Sequence, residues 1–244
     1  MKKNKNKFKI HYLYNSGFSL ETSDNILIFD YYNDNSTGKE RSLENGVVGE
    51  ELLKKGKPIY VFVSHSHFDH FNPVIFNWCK LNAHVKYIIS DDVTSIEKTS
   101  NYITVKKGET INLNSLTIKV YGSTDQGVSF LVNCGGLNIF HAGDLNWWHW
   151  KEDSDEENKK AEKWFKEEIE NIKGENIHIA FFPVDPRQEE YYYLGGEYFI
   201  EKIKPEIFIP MHFGDKPEIT KEFKEKMKNM STKVFEISHR GFEI

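Results

Sequence analysis

The chain has 244 residues, ten histidines and two cysteines, with 28% charged side chains and a formal charge of -5. That length suits one large domain or two small ones with a substantial core, and a 39% apolar content is too high for a disordered chain. No run of about 18 apolar residues suggests a transmembrane helix, and Cys79 and Cys134, far apart in the chain, cannot build a disulfide framework, which points to a reducing, cytoplasmic setting.

The lysines at positions 2, 3, 5, 7 and 9 are followed by no apolar segment, so the start reads as a solvated tail. Strands follow at Phe8–Tyr14, Phe18–Glu21 and Ile26–Phe29, separated by Asn15-Ser16-Gly17 and Ser23-Asp24-Asn25 and closed by Asp30. Beyond a polar loop, Val48–Lys55 is expected as a short helix ended by Gly56 and Pro58. Ile59–Val63 has the length and continuous apolarity of a buried strand. Asn72-Pro73 reads as an N-cap with proline at the first helical position, placing Val74, Trp78 and Leu81 on one face.

Strands return at Val85–Ile89, Tyr102–Val105, Thr110–Leu113, Leu116–Tyr121, Val128–Asn133 and Leu137–Phe140, with Gly135-Gly136 as a hairpin turn. Residues 151–170 hold nine acids against five lysines and read as an acidic loop entering a solvated helix. The core stripe of that helix is Ala161, Trp164, Phe165, Ile169 and Ile172, and Gly174 stops it. A strand at Ile177–Phe182 is expected next, then a helix from near Gly196 with Phe199, Ile200 and Ile203 inward, then a strand at Ile207–Met211. Pro217 opens a last helix with Ile219, Phe223, Met227 and Met230 inward, and Val234–Ile237 closes the chain as a strand. With no linker or repeat, this order fits one α/β domain over residues 1–244, two sheets sandwiched between helices.

The chemistry concentrates in Ser64-His65-Ser66-His67-Phe68-Asp69-His70, directly after the buried strand. In an extended segment His65 and His67, two apart, point to the same side and reach one ion, while Asp69 and His70 sit where the chain turns toward the helix and offer a second pair of ligands. Imidazole and carboxylate suit zinc, manganese or iron.

This segment is the H-x-H-x-D-H signature of the metallo-β-lactamase superfamily, which the chain resembles over almost its full length. The resemblance implies a four-layer αββα sandwich with metals at one edge. It implies a supporting aspartate at the end of an early strand, matched by Asp30, and a bridging aspartate in a Gly-Asp pair, matched by Asp144 in His141-Ala142-Gly143-Asp144. It also implies a last histidine after a late strand, matched by His212 in Ile209-Pro210-Met211-His212. The ligand set so implied is His65, His67, Asp69, His70, Asp144 and His212, with Asp69 and Asp144 in catalytic roles. One histidine of the family pattern is missing, since Gly122–Gly127 holds none. Asp125 or a water takes that place, which leaves open one metal or two. The runs Ser64-His65-Ser66-His67-Phe68-Asp69-His70-Phe71-Asn72 and His141-Ala142-Gly143-Asp144-Leu145-Asn146-Trp147-Trp148 look most similar to lactonase-like and phosphodiesterase-like bacterial members.

The expected function is therefore metal-dependent hydrolysis of a small ester, lactone, amide or phosphodiester by metal-activated water. The alternative is a non-catalytic or sensing protein whose first metal site is incomplete. Di-iron oxidoreductases of the superfamily resemble H-x-E-x-D-H, and His67 stands where they have glutamate. A net negative charge and only three arginines (Arg41, Arg187, Arg240) speak against a nucleic-acid partner. Trp147-Trp148-His149-Trp150 forms either an apolar substrate wall or loop packing. Arg187 either grips an anionic substrate group or pairs with Asp185. His141 and His149 lie near the site without an assigned role, and His11, His84, His178 and His239 read as incidental.

Overall fold

The computed structural model describes residues 8–94 and 100–244, so most of the basic start, residues 1–7, lies outside the described residues. By its contacts the chain divides into two compact units, Met1–Ile89 with Val93–Thr104 and His239–Ile244, and Ser90–Asp92 with Val105–Ser238.

The first unit carries a six-stranded sheet in chain order, β1 (Lys9–Tyr14), β2 (Gly17–Glu21), β3 (Ile26–Phe29), β4 (Ile59–Val63), β5 (Val85–Ser90) and β6 (Tyr102–Val105). β1 to β3 are antiparallel, whereas β3, β4 and β5 run parallel. β3 and β4 carry an apolar or aromatic residue at every position because both of their faces are buried. One face, with Ile26, Ile28, Val61, Val63 and Tyr87, packs with Leu52 and Leu53 of α1 (Glu50–Leu53) and with Ile75 and Trp78. The C-terminal residues return to the edge of β1, where Tyr12 N–H donates to Phe242 O at 3.0 Å and Ile244 N–H to Ile10 O at 2.9 Å. Arg240 ties this end to the loop after β3, its guanidinium donating to the carbonyls of Leu13, Asn33, Asn35 and Gly46.

One expectation needs correcting here. Asn72 does cap, its Oδ1 accepting from Val74 N–H at 3.0 Å, but the segment Pro73–Lys80 is a 3-10 helix. Three residues per turn set Ile75 and Trp78 inward together, while Val74 is half-buried and Leu81, past the helix end, is 43% exposed.

Glu21 at the end of β2 gives a pH signature. Burial pushes its carboxyl up, but ion-paired hydrogen bonds from Lys55 and Lys57, each at 2.8 Å, outweigh this and hold it below the usual glutamate range. A lowered folded-state value adds stability above the ordinary glutamate value of about 4.3 and loses it as pH falls through the lowered one. Thermal unfolding between pH 6 and pH 3 should therefore show a smaller acid-induced drop in Tm for Glu21→Gln than for the parent. An identical drop would contradict this.

The second unit carries a seven-stranded sheet in the order β13-β12-β11-β10-β9-β8-β7. β7 (Thr110–Leu113), β8 (Leu116–Tyr121), β9 (Ser129–Cys134) and β10 (Leu137–His141) form an antiparallel meander. Gly135 and Gly136, with φ of +59° and +88°, adopt the left-handed backbone that the two-residue hairpin between β9 and β10 requires. β11 (Ile179–Pro183), β12 (Ile207–Met211) and β13 (Lys233–Val234) continue parallel to β10. The parallel strands are linked by α2 (Asp155–Ile172), α3 (Leu194–Ile203) and α4 (Glu218–Lys226). Phenylalanines from these elements stack in the core, Phe182 on Phe199 at 4.5 Å and Phe208 against Phe223 at 5.1 Å.

The acidic stretch is a short loop, residues 151–154, entering α2, whose start Ser154 and Glu157 close with a capping box. Its buried stripe is Phe165, Glu168, Ile169 and Ile172; Trp164, expected inward, is 46% exposed, and Ala161 is half-buried. α3 begins at Leu194, two residues before Gly196, and Ile203 and Met230 are half-buried. The last strand is shorter than expected, two residues at Lys233–Val234. Among the described residues no helix is long and apolar enough to cross a membrane.

Candidate metal-ligand clusters

In the first unit the ends of β3 and β4 lie side by side, with Asp30 N–H donating to Phe62 O at 2.9 Å. Asp30 is fully buried and takes a left-handed backbone, φ +41°, at the strand end. Its Oδ1 accepts from Ser64 N–H at 2.8 Å, and its Oδ2 accepts from Ser64 Oγ–H at 2.6 Å and faces His70 Nδ1 at 2.7 Å. A carboxylate opposite Nδ1 fixes the proton there and leaves Nε2 of His70 with its lone pair exposed for ligation. Ser64 Oγ spends its one proton on Asp30, so at 2.9 Å it accepts from His65 Nδ1, and the same tautomer results.

The ligand loop is compact. His65 Nε2 and His67 Nδ1 stand 3.1 Å apart, and the rings of His65 and His70 have centroids 4.0 Å apart. Two nitrogens on one tetrahedral ion at the usual bond length lie about 3.3 Å from each other. Asp69 follows in the turn, its Oδ2 3.8 Å from His70 Nε2 and accepting from Asn15 Nδ2 at 3.1 Å. Asn15 belongs to the β1–β2 turn, which positions the carboxylate from a second element.

In the second unit the parallel strands β10, β11 and β12 bring Asp144, Asp185 and His212 to their C-terminal ends. His212 is 5% exposed and left-handed at φ +65°. Its Nδ1 lies 3.0 Å from Asp185 Oδ2, and its Nε2 lies 3.3 Å from Asp144 Oδ1. This repeats the first unit's arrangement, a buried carboxylate behind the ring and a donor pair at ligand separation in front. Burial pushes Asp185 up, yet hydrogen bonds from His212 and Arg187 prevail and hold it below the usual aspartate range. Arg187 thus pairs with Asp185, Nε to Oδ2 at 2.9 Å, which answers one open reading.

Asp144 is set by its own turn. Gly143 takes φ +54°, and its N–H donates to His141 Nδ1 at 3.2 Å, so His141 shapes the turn that carries the aspartate. Trp148 Nε1 donates to the Asp144 carbonyl at 3.0 Å. Thr124 Oγ1 donates to Asn146 O at 2.6 Å and accepts from Asn146 N–H at 2.9 Å. Gln188 completes the lock, accepting from Asn146 Nδ2 and donating to Trp147 O, both at 2.8 Å. Gly195 of α3 is required beside it, because a Cβ there would sit 1.9 Å from Asn146 Oδ1. Asp125 is exposed, with a carboxylate oxygen within 4.8 Å of one of Asp144.

The tryptophan run divides. Trp147 packs the loop against Phe165 and Tyr198, whereas Trp148 stands edge-on to His212 at 5.7 Å and stacks on Trp150 at 5.6 Å. His149 lies on Tyr191 at 4.0 Å. Sequence reasoning missed Ser64, Asn15, Gln188 and the link between Asp185 and His212. For Asp185 the available signal was a carboxylate following a buried apolar strand.

The two sheets and their helices are those of the metallo-β-lactamase sandwich, and its His/Asp clusters have the donor types that could hold a metal ion. The chain belongs to the β-lactamase superfamily: the model of the "Beta-lactamase superfamily domain" matches residues 9–161. Among solved structures it is similar to Igni18, a metallo hydrolase from the archaeon Ignicoccus hospitalis, at 18% identity and TM-score 0.64 over 97% of each chain. It is also similar to YhfI, a metallo-β-lactamase fold protein from Bacillus subtilis, at 15% identity and TM-score 0.61 over 98% of this chain and 99% of that one. CmlA, a diiron β-hydroxylase from Streptomyces venezuelae, has 10% identity and TM-score 0.55, covering 96% of this chain and 48% of that one. A search of curated proteins finds no match.

Proposed function

We propose that the chain is a metal-dependent hydrolase working as one catalytic domain on a small ester, lactone, amide or phosphodiester. We assign His65, His67, Asp69, His70, Asp144 and His212 as ligands of one or two divalent transition-metal ions. Zinc is the first choice, with manganese or iron as alternatives, and Asp69 and Asp144 are the catalytic carboxylates. The observation that carries the reading is the pair of buried carboxylates, Asp30 behind His70 and Asp185 behind His212. Such carboxylates turn each ring's Nε2 outward as a ligand and raise its basicity. The donor set of imidazole nitrogens and carboxylate oxygens fits these ions.

A divalent ion held by these residues supplies an acidified water and polarises the oxygen under attack. The protein's own groups do the rest. Asp30 and Asp185 hold the histidine tautomers. Asp69, steadied by Asn15, orients the attacking water and takes up its proton. Asp144, fixed through its carbonyl by Trp148, keeps its carboxylate on His212. Histidine at position 67 favours hydrolysis over the redox chemistry of the H-x-E-x-D-H proteins, although the diiron hydroxylase with this fold keeps iron among the metals to be tested.

The test is a panel of lactone, thioester and phosphodiester substrates assayed before and after chelation. Hydrolysis of at least one class should vanish with chelator and return with zinc or manganese. A chain that binds metal tightly yet turns over nothing would be the non-catalytic binding protein instead.

A further inference from the structure

Beside Asp144, within the second unit, lies a cavity of about 380 Å³ lined by Trp148, Trp150 and Trp164, with Thr124, Asn146 and Lys160 among its polar neighbours. Three indoles around one opening are unusual for a surface. Trp164 is 46% exposed on α2, off that helix's buried stripe, and Trp148 and Trp150 are half-buried. Indoles gathered at one concave opening are suitable ligand contacts. Trp148 and Trp150 stack on one another with ring planes 5° apart and Arg187 stands over Trp150 at 5.8 Å, so the most exposed indole of the three is that of Trp164.

Three of the polar side chains nearby are already engaged, while the exposed Asp153 carboxylate also lines the opening. Thr124 Oγ1 is bonded to the main chain of Asn146. The Asn146 amide is bonded to Gln188. Lys160 Nζ is paired with Glu156 at 2.7 Å. Lys160 and Asp153 carry opposite charges in the lining, so it favours a neutral ligand, and its flat apolar area suits a planar ring. Trp148 also connects the cavity to the proposed chemistry, through its bond to the Asp144 carbonyl and its edge contact with His212.

We propose that this cavity is a substrate subsite for a neutral aromatic group attached to the bond that is cleaved, which makes aryl or aromatic-acyl esters and lactones the preferred substrates. The substrate assignment rests on the hydrolase reading, but the subsite itself is testable without turnover. The full chain is titrated calorimetrically with 2-naphthol, cyclohexanol and tetramethylammonium, the last because Asp153 also lines the cavity. 2-Naphthol should bind about tenfold tighter than cyclohexanol, and Trp164→Ala should remove about tenfold of that affinity, with Trp164→Phe retaining most of it. In parallel, the ratio of kcat/KM for 2-naphthyl acetate over ethyl acetate should fall about tenfold in Trp164→Ala. Equal binding of 2-naphthol and cyclohexanol, unchanged affinity in Trp164→Ala, or tighter binding of tetramethylammonium than of 2-naphthol would each overturn the subsite. Failure to hydrolyse either ester, with the naphthol result intact, would overturn the aryl-ester preference, whereas no turnover of any substrate of the wider panel would count against the hydrolase reading.

Discussion

An Asp30→Ala protein is expected to lose about 3 kcal/mol of stability, a Tm drop of roughly 6–12 °C, and to hold its metal about 10–100-fold more weakly. The carboxylate is fully buried and takes three hydrogen bonds, from Ser64 N–H, Ser64 Oγ–H and His70 Nδ1–H. Truncation strands all three donors in an apolar interior, where each unmet group costs on the order of 1–3 kcal/mol. It also frees His70 to take the other tautomer, in which Nε2 carries the proton and cannot ligate. Asp30→Asn separates the two effects. It preserves shape, so stability should recover in part, while metal affinity stays low because an amide is a poorer partner for the imidazole N–H. Scanning calorimetry and competitive metal titration read the two effects independently. Parent-like metal affinity in Asp30→Ala would remove this residue from the site.

The second large effect is expected at Asp144. Asp144→Ala should lower kcat/KM toward whichever substrate the panel identifies by about 10³-fold or more, since a metal-ligating carboxylate supplies several kcal/mol and each 1.36 kcal/mol is tenfold in rate. Stability should change little, because the turn is held by main-chain bonds. Gly143 N–H donates to His141 Nδ1, and Trp148 and Thr124 grip the carbonyls of residues 144 and 146. Loss of activity at a parent-like Tm, measured on the same preparation, is the expected pairing. Full activity would contradict the assignment.

The local part of this account was legible in the sequence, and the reason is distance along the chain. Four ligand-type side chains within six residues after the apolar run Ile59–Val63 need no tertiary knowledge to be read as a ligand loop. Strands such as Ile26–Phe29 and Ile207–Met211 were legible in full because apolar runs end abruptly at polar residues. The segment after Asn72 was not, since Ile75 and Trp78, three apart, suit an α-helix and a 3-10 helix alike. Trp164 sits next to Phe165 in the expected stripe, and only the packing of α2 decides which of the two indole and phenyl rings goes inward. Asp185 shows the limit most clearly. Twenty-seven positions separate it from His212, and only the register of β11 against β12 brings the carboxylate behind the ring.

Metal content tests the central claim most directly. The parent and a His70→Ala/His212→Ala protein, purified identically without added metal, are compared by elemental analysis and then retitrated with zinc, manganese and iron. The account predicts tightly held transition metal in the parent, about one or two ions per chain, and loss of most of it in the double variant with the fold preserved by circular dichroism. Equal metal in both proteins, or none in a folded parent even after retitration, would contradict it.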